Sequence, residues 1–300
     1  MSDNVTKFEP NPGRKIAKRI AALVFLIVLV GAAVTVYVFR DSLNLDAAKR
    51  FVRYLNVRTD STGGSFTFDS HNANQYADLN GGLAVASVSG MNLYDANGDE
   101  LAVAQSKLDT PAIRAGSDLV LAFDVGGNNL LAVTKTGETA LSLTTQQPIF
   151  DADLAKDGSI CYAAQEAGYK TVLYVYDAKQ NRIYRWLSAS AYLPICAVSP
   201  GAKQLAAVSF GQKDGMFSST LHIFDTASEQ AGLTAELGTD LIYDLTFLDA
   251  DTLCAVGETG LQWMDAAGDR LASYTYDGAY LKDFDFGGEG FVSLVVNMYK

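Results

Sequence analysis

Only two histidines stand in this 300-residue chain, His71 and His222, so the side chain most used as general base and metal ligand is nearly absent. His222 lies inside the strand-like run "HIFD" and reads as structural. No nucleophile elbow, His-Glu-x-x-His pair, phosphate-binding loop or dinucleotide glycine pattern occurs. Cys161, Cys196 and Cys254 each fall in an apolar run and read as small buried hydrophobes. Their odd number and wide spacing argue against a disulfide framework and against a zinc site. "DANGDE" places Asp95, Asn97 and Asp99 like the start of a calcium loop, but it lacks Gly at the sixth position and has Ser106 where Glu belongs. Because "DAAGDR" and "DAKQNR" fill the same slot elsewhere, the stretch reads as a hairpin turn. Aspartate is plentiful, yet acid–base work needs two carboxyls brought to one proton, and the linear sequence pairs none. No catalytic residue, cofactor or metal is expected.

The elements that would position any chemistry form a repeat. "FDADLAKDGSICYAA", "ICAVSPGAKQLAAVS" and "YDLTFLDADTLCAVG" are each two apolar runs around a tight polar turn, hence strand–turn–strand. Between them recur "YVYDAKQNRIYRWL" and "LQWMDAAGDRLASY", in which a strand ends in Asp, a polar turn follows, and another strand leaves. Each unit therefore has four strands. The first apolar residue after the first turn is Leu83, Leu119, Ile160, Leu205, Leu253 and Phe291, in steps of 36, 41, 45, 48 and 38 residues. A period near forty with four strands per unit predicts an all-β β-propeller. Ser65 to Asp69 is expected as a lone outer strand, followed by five whole blades and two strands of another. That pattern predicts a C-terminally truncated ring of six to eight blades.

Outside the repeat, residues 1–19 form a basic tail. Residues 20–39 are uncharged, 13 of them Leu, Ile, Val or Phe, and at about 1.5 Å per residue they match a bilayer core. A single transmembrane helix is therefore expected there, with the lipid bilayer as a partner. Arg14, Lys15, Lys18 and Arg19 place the N-terminus in the cytoplasm and the propeller outside the cell membrane. Residues 40–62 read as a helical stalk, because Leu45, Ala48, Val52 and Leu55 fall at helical spacing. The β-propeller is assigned to residues 63–300. Net charge is −11, which disfavours nucleic acid as a partner.

The connections between second and third strands share one face with the blade-to-blade connections. Most are minimal, but "AQEAGYKT" and "SFGQKDGMFSST", in neighbouring blades, read as longer loops. The second puts Met216 and Phe217 in a polar, Gly-flanked segment. With Tyr169, Lys170 and Tyr192 they make a candidate recognition face. The alternative is a long hairpin whose Phe217 folds back onto its own strands.

"SPGAKQLAAV" and "AKDGSICYA" resemble the Ser-Pro-Asp-Gly turn of WD-repeat and TolB-like propellers, with Gly201 and Ala202 in place of its Asp-Gly. The strand–Asp–turn units also resemble quinoprotein repeats, but Trp186 is isolated rather than kept in register, so quinone binding is not implied. As a whole, anchor, stalk and acidic propeller are similar to a Gram-positive membrane-anchored family, domain-of-unknown-function family 5711, which implies no catalytic residues. The leading expectation is a binding or scaffold module for a protein or envelope ligand. A structural subunit of an envelope complex and a hydrolase or lyase acting in the central channel are the alternatives.

Overall fold

The structure, a computed structural model, describes residues 73–79, 81–286 and 291–298. Every element in them is a strand. The first sheet joins β1 (Gln75–Leu79), β2 (Gly82–Ser87), β3 (Gly90–Tyr94) and β4 (Glu100–Gln105). The second joins β5 (Pro111–Ala115), β6 (Leu119–Asp124), β7 (Asn129–Thr134) and β8 (Thr139–Thr144). The third holds β9 (Ile149–Leu154), β10 (Ile160–Glu166), β11 (Tyr169–Tyr176) and β12 (Arg182–Ser188). The fourth holds β13 (Ile195–Val198), β14 (Gln204–Lys213), β15 (Met216–Asp225) and β16 (Leu233–Gly238). The fifth holds β17 (Ile242–Phe247), β18 (Thr252–Gly257), β19 (Gly260–Asp265) and β20 (Arg270–Thr275). β21 (Tyr280–Asp285) and β22 (Ser293–Asn297) pair as a two-stranded sheet. All pairs are antiparallel neighbours in sequence, the order of propeller blades.

Burial explains why the middle strands are apolar without alternating. β6 is buried at all six positions. Its Leu119, Leu121 and Phe123 join a cluster with Ile149, Ile160 and Tyr162 of blade 3, while Val120 and Ala122 join Ala84, Met91 and Leu93 of blade 1. Successive side chains point to opposite faces of a strand, so a sheet held between two others needs apolar residues on both. The clusters between blades 3 and 4, and between blades 4 and 5, are built in the same way. Outer strands such as β20 are exposed throughout, so they carry the polar residues.

The strand–Asp–turn pattern has a direct cause. Asp95 Oδ1 accepts the N–H groups of Asn97 and Asp99 at 2.8 and 2.9 Å. Asp177 and Asp265 receive the equivalent pairs in blades 3 and 5. The residue that then turns the chain has positive φ: Gly98, Gln180 and Gly268. "DANGDE" is therefore one copy of a repeated hairpin cap.

One part of the sequence reading is corrected. A propeller preceded by a single transmembrane helix was expected, but no helix among the described residues is long and apolar enough to cross a membrane, and all of their regular structure is strand. Residues 20–39, the basic tail, the stalk and the Ser65 to Asp69 strand lie outside the described residues. The bilayer as partner and the single-pass cell-membrane placement rested on that helix, and they are withdrawn with it.

Candidate functional site

Two regions gather functional groups. The first is the end of blades 3 and 4 where second strands turn into third strands. "SFGQKDGMFSST" is a hairpin and not a long loop: β14 and β15 stay paired from Gln204↔Asp225 to Lys213↔Met216. The turn is Asp214-Gly215, with φ of 52° and 79°. That is the Asp-Gly pattern whose twist matches antiparallel strands. β13 leaves β14 at Val208, and β16 leaves β15 at Ser219. The tip therefore stands out as a two-stranded ribbon, roughly 10 Å long at about 3.4 Å per residue. "AQEAGYKT" is likewise a tight turn, with Glu166 opposite Tyr169.

Met216 is 61% exposed at the ribbon tip, and Phe217 is 39% exposed. Phe217 stacks on Phe210 with ring centroids 5.7 Å apart, so folding back onto its own strands describes Phe217 and leaves Met216 outward. On blade 3, Lys170 Nζ donates to the Ser190 carbonyl at 2.8 Å and lies 5.5 Å from the Tyr192 ring. That contact holds Tyr192, itself 55% exposed, against Lys170 near the start of β11. The structure thus brings Lys170 and Tyr192 together, and stacks Phe217 on Phe210 on the neighbouring blade. A cavity of about 260 Å³ opens at the same end, between the blade 2 to 3 connection and β10–β11, lined by Gln147, Tyr162, Ala164, Glu166, Val172 and Tyr174. His222 sits at the ribbon base, where its Nε2 and Ser209 Oγ are 2.8 Å apart. Burial lowers its pKa, so it is neutral at pH 7 and holds the strand pair.

The second region lines the channel and has no counterpart in the sequence reading. Arg114 on β5 reaches Asp244 on β17, with Nη2 3.1 and 3.0 Å from the two carboxylate oxygens. Asp151 on β9 lies 3.8 Å from the same nitrogen. Burial pushes the Asp151 carboxyl up to about 7 and Asp153 up to about 6, although the Arg114 charge opposes both shifts. Burial raises Asp244 too, again against Arg114. Burial also works against the Arg114 charge, but Asp244, Asp151 and Asp153 outweigh it and raise its pKa.

These carboxylates also tie blades together. Asp151 Oδ2 accepts the Cys196 N–H at 3.0 Å, and Asp153 Oδ2 accepts the Val198 N–H at 3.1 Å. Asp157 Oδ2 accepts the Gly201 N–H at 2.6 Å. Asp151 and Asp153, alternate residues of β9, thus satisfy alternate amides of β13 on the edge that has no strand to pair it. Among the described residues no group of His, Cys, Asp and Glu could hold a metal ion.

The family model for "Family of unknown function (DUF5711)" matches residues 53–277, three quarters of the chain. The chain belongs to the DUF5711 family. Membership was the expectation drawn from its resemblance; the membrane anchor and Gram-positive source attached to that resemblance are no part of the match. No curated protein matches this DUF5711 chain. Among solved structures it is similar to the Dos1 propeller, at 11% identity and a TM-score of 0.50, over 71% of this chain and 62% of that one. The DUF5711 chain thus spans about three fifths of that structure. It also matches the Neurospora crassa Pan2 WD40 domain, at 14% identity and a TM-score of 0.47, over 70% of this chain and 67% of that one. Kluyveromyces lactis Hsv2p matches at 11% identity and a TM-score of 0.47, over 77% and 73%. At 11% identity the likeness to the Dos1 propeller shows the fold alone.

Proposed function

We propose that this DUF5711 propeller is a binding or scaffold module without a reaction of its own. On this reading it engages a protein through the end of blades 3 and 4. The observation that carries the proposal is the projecting ribbon, with Met216 exposed at its tip next to the blade that holds Lys170 over Tyr192. A rigid scaffold that presents exposed apolar and aromatic side chains gives up little conformational entropy on binding. The channel carboxylates, by contrast, are engaged by Arg114 and by backbone amides, which supports a structural role for them. The test is site-specific photo-crosslinking in the native host. A photoreactive residue at Met216 should capture a discrete protein, and capture should fall when Lys170→Ala and Tyr192→Ala are added. The same probe at Lys179, on a turn between third and fourth strands at the opposite end, should not capture it. No adduct from position 216, or the same adducts from both positions, would refute the assignment.

A further inference from the structure

Cys161 on β10 and Cys196 on β13 belong to adjacent blades, 35 positions apart, and their Sγ atoms lie 3.5 Å from each other. Both side chains are sealed in the core between blades 3 and 4, among Ala163, Leu173, Val198 and Ala207. The Cys196 backbone is held by its N–H bond to Asp151 Oδ2 at 3.0 Å. The two sulfurs already touch, and closing to the bonded distance of about 2.05 Å requires a movement of about 1.5 Å. Cys254 is buried in blade 5 and is not part of the core cluster that holds this pair.

We infer that Cys161 and Cys196 are a disulfide-forming pair that staples blade 3 to blade 4 under oxidising conditions. The oxidant is a small-molecule disulfide such as glutathione disulfide. One protein thiolate attacks it to give a mixed disulfide and one thiol product; the second thiolate displaces the other small thiol. Two electrons pass from the two cysteines to the oxidant, and the two protons leave on two molecules of reduced thiol. Burial raises both cysteine pKa values, and only the thiolate attacks. The bond therefore forms as the blades come together during folding, or when their interface opens, and slowly in the closed protein. Once formed, it fixes the relative position of the two blades whose ends carry Tyr192 and the ribbon. The chemistry stands whether or not that end is a recognition surface.

The full-length chain is refolded in mixtures of glutathione disulfide and glutathione, and in parallel the folded protein is incubated in them for hours. Free thiols are then alkylated and the peptides mapped by mass. The expected product joins the Cys161 and Cys196 peptides with the loss of two hydrogens, while Cys254 is recovered alkylated. Oxidised protein should unfold several degrees higher than reduced protein, and dithiothreitol should abolish the difference. Cys254→Ser should keep the link and the shift, and Cys161→Ser should lose both. Absence of the link in both arms, glutathione adducts without it, or a link to Cys254 would overturn the inference.

Discussion

Replacing Arg114 with Met tests how the channel is held together. Arg114 Nη2 lies 3.0 Å from one oxygen of Asp244 and 3.8 Å from Asp151. At an effective dielectric constant of about 20, Coulomb attraction at those separations is roughly 5 and 4 kcal/mol. The net loss is smaller, because the stranded carboxyls take up protons instead of remaining charged. Breaking a buried pair by removing one partner costs about 3–5 kcal/mol, and that is the expected drop at pH 8. The cost should shrink in acid. Asp151 and Asp153, pushed up to about 7 and about 6, are already largely protonated at pH 5, so less negative charge is left for Arg114 to balance. The difference between variant and parent at pH 5 should be smaller by at least about 1.4 kcal/mol, the worth of one pKa unit. Urea unfolding at both pH values measures it. A loss below about 1 kcal/mol at pH 8, or one that does not change with pH, would show that the channel ion pairs are not what binds blade 2 to blade 5.

Other outcomes follow from the same geometry. Because the Asp151 and Asp153 pKa values are raised above 3.8, the folded state holds more protons. Their contribution to stability is full below about pH 3.8 and is lost as pH rises through about 6 and 7; Asp151→Asn should flatten that slope in urea titrations at successive pH values. Asp265→Ala removes the acceptor of two backbone amides and should cost about 1–2 kcal/mol by thermal unfolding. Gly158 has φ of +94° in the blade 3 turn, so Gly158→Val should destabilise by about 1–3 kcal/mol, and a neutral result would show that the turn adapts.

Legibility in the sequence followed the range of the interaction. The hairpin caps depend on Asp177 and the amides two and four residues on, so one copy of the pattern announces them. Core strands such as β6 were legible because burial on both faces forces an uninterrupted apolar run. The channel cluster was not, since Arg114 and Asp244 are 130 positions apart and only ring topology sets the second inner strand against the fifth. Cys161 and Cys196 were read correctly as buried, but their contact depends on how two blades stack. Of the two sequence readings of "SFGQKDGMFSST", a longer loop and a long hairpin, the structure has the hairpin, because Asp214-Gly215 supplies the turn that lets both strands continue. The long apolar run led the sequence reading to a membrane helix, a reading that the all-strand described residues do not carry.

The most direct measurement of the central claim pairs capture with folding in one variant, Met216→Ser with Phe217→Ser. Met216 is 61% exposed, and Phe217, 39% exposed, stacks on Phe210 without belonging to a core cluster that joins the blades. The unfolding midpoint should therefore stay near that of the parent. A photoreactive residue at Tyr192 in this background should lose most of the adduct seen in the parent chain. An undiminished adduct at Tyr192, with the fold intact, would contradict a recognition surface on blades 3 and 4.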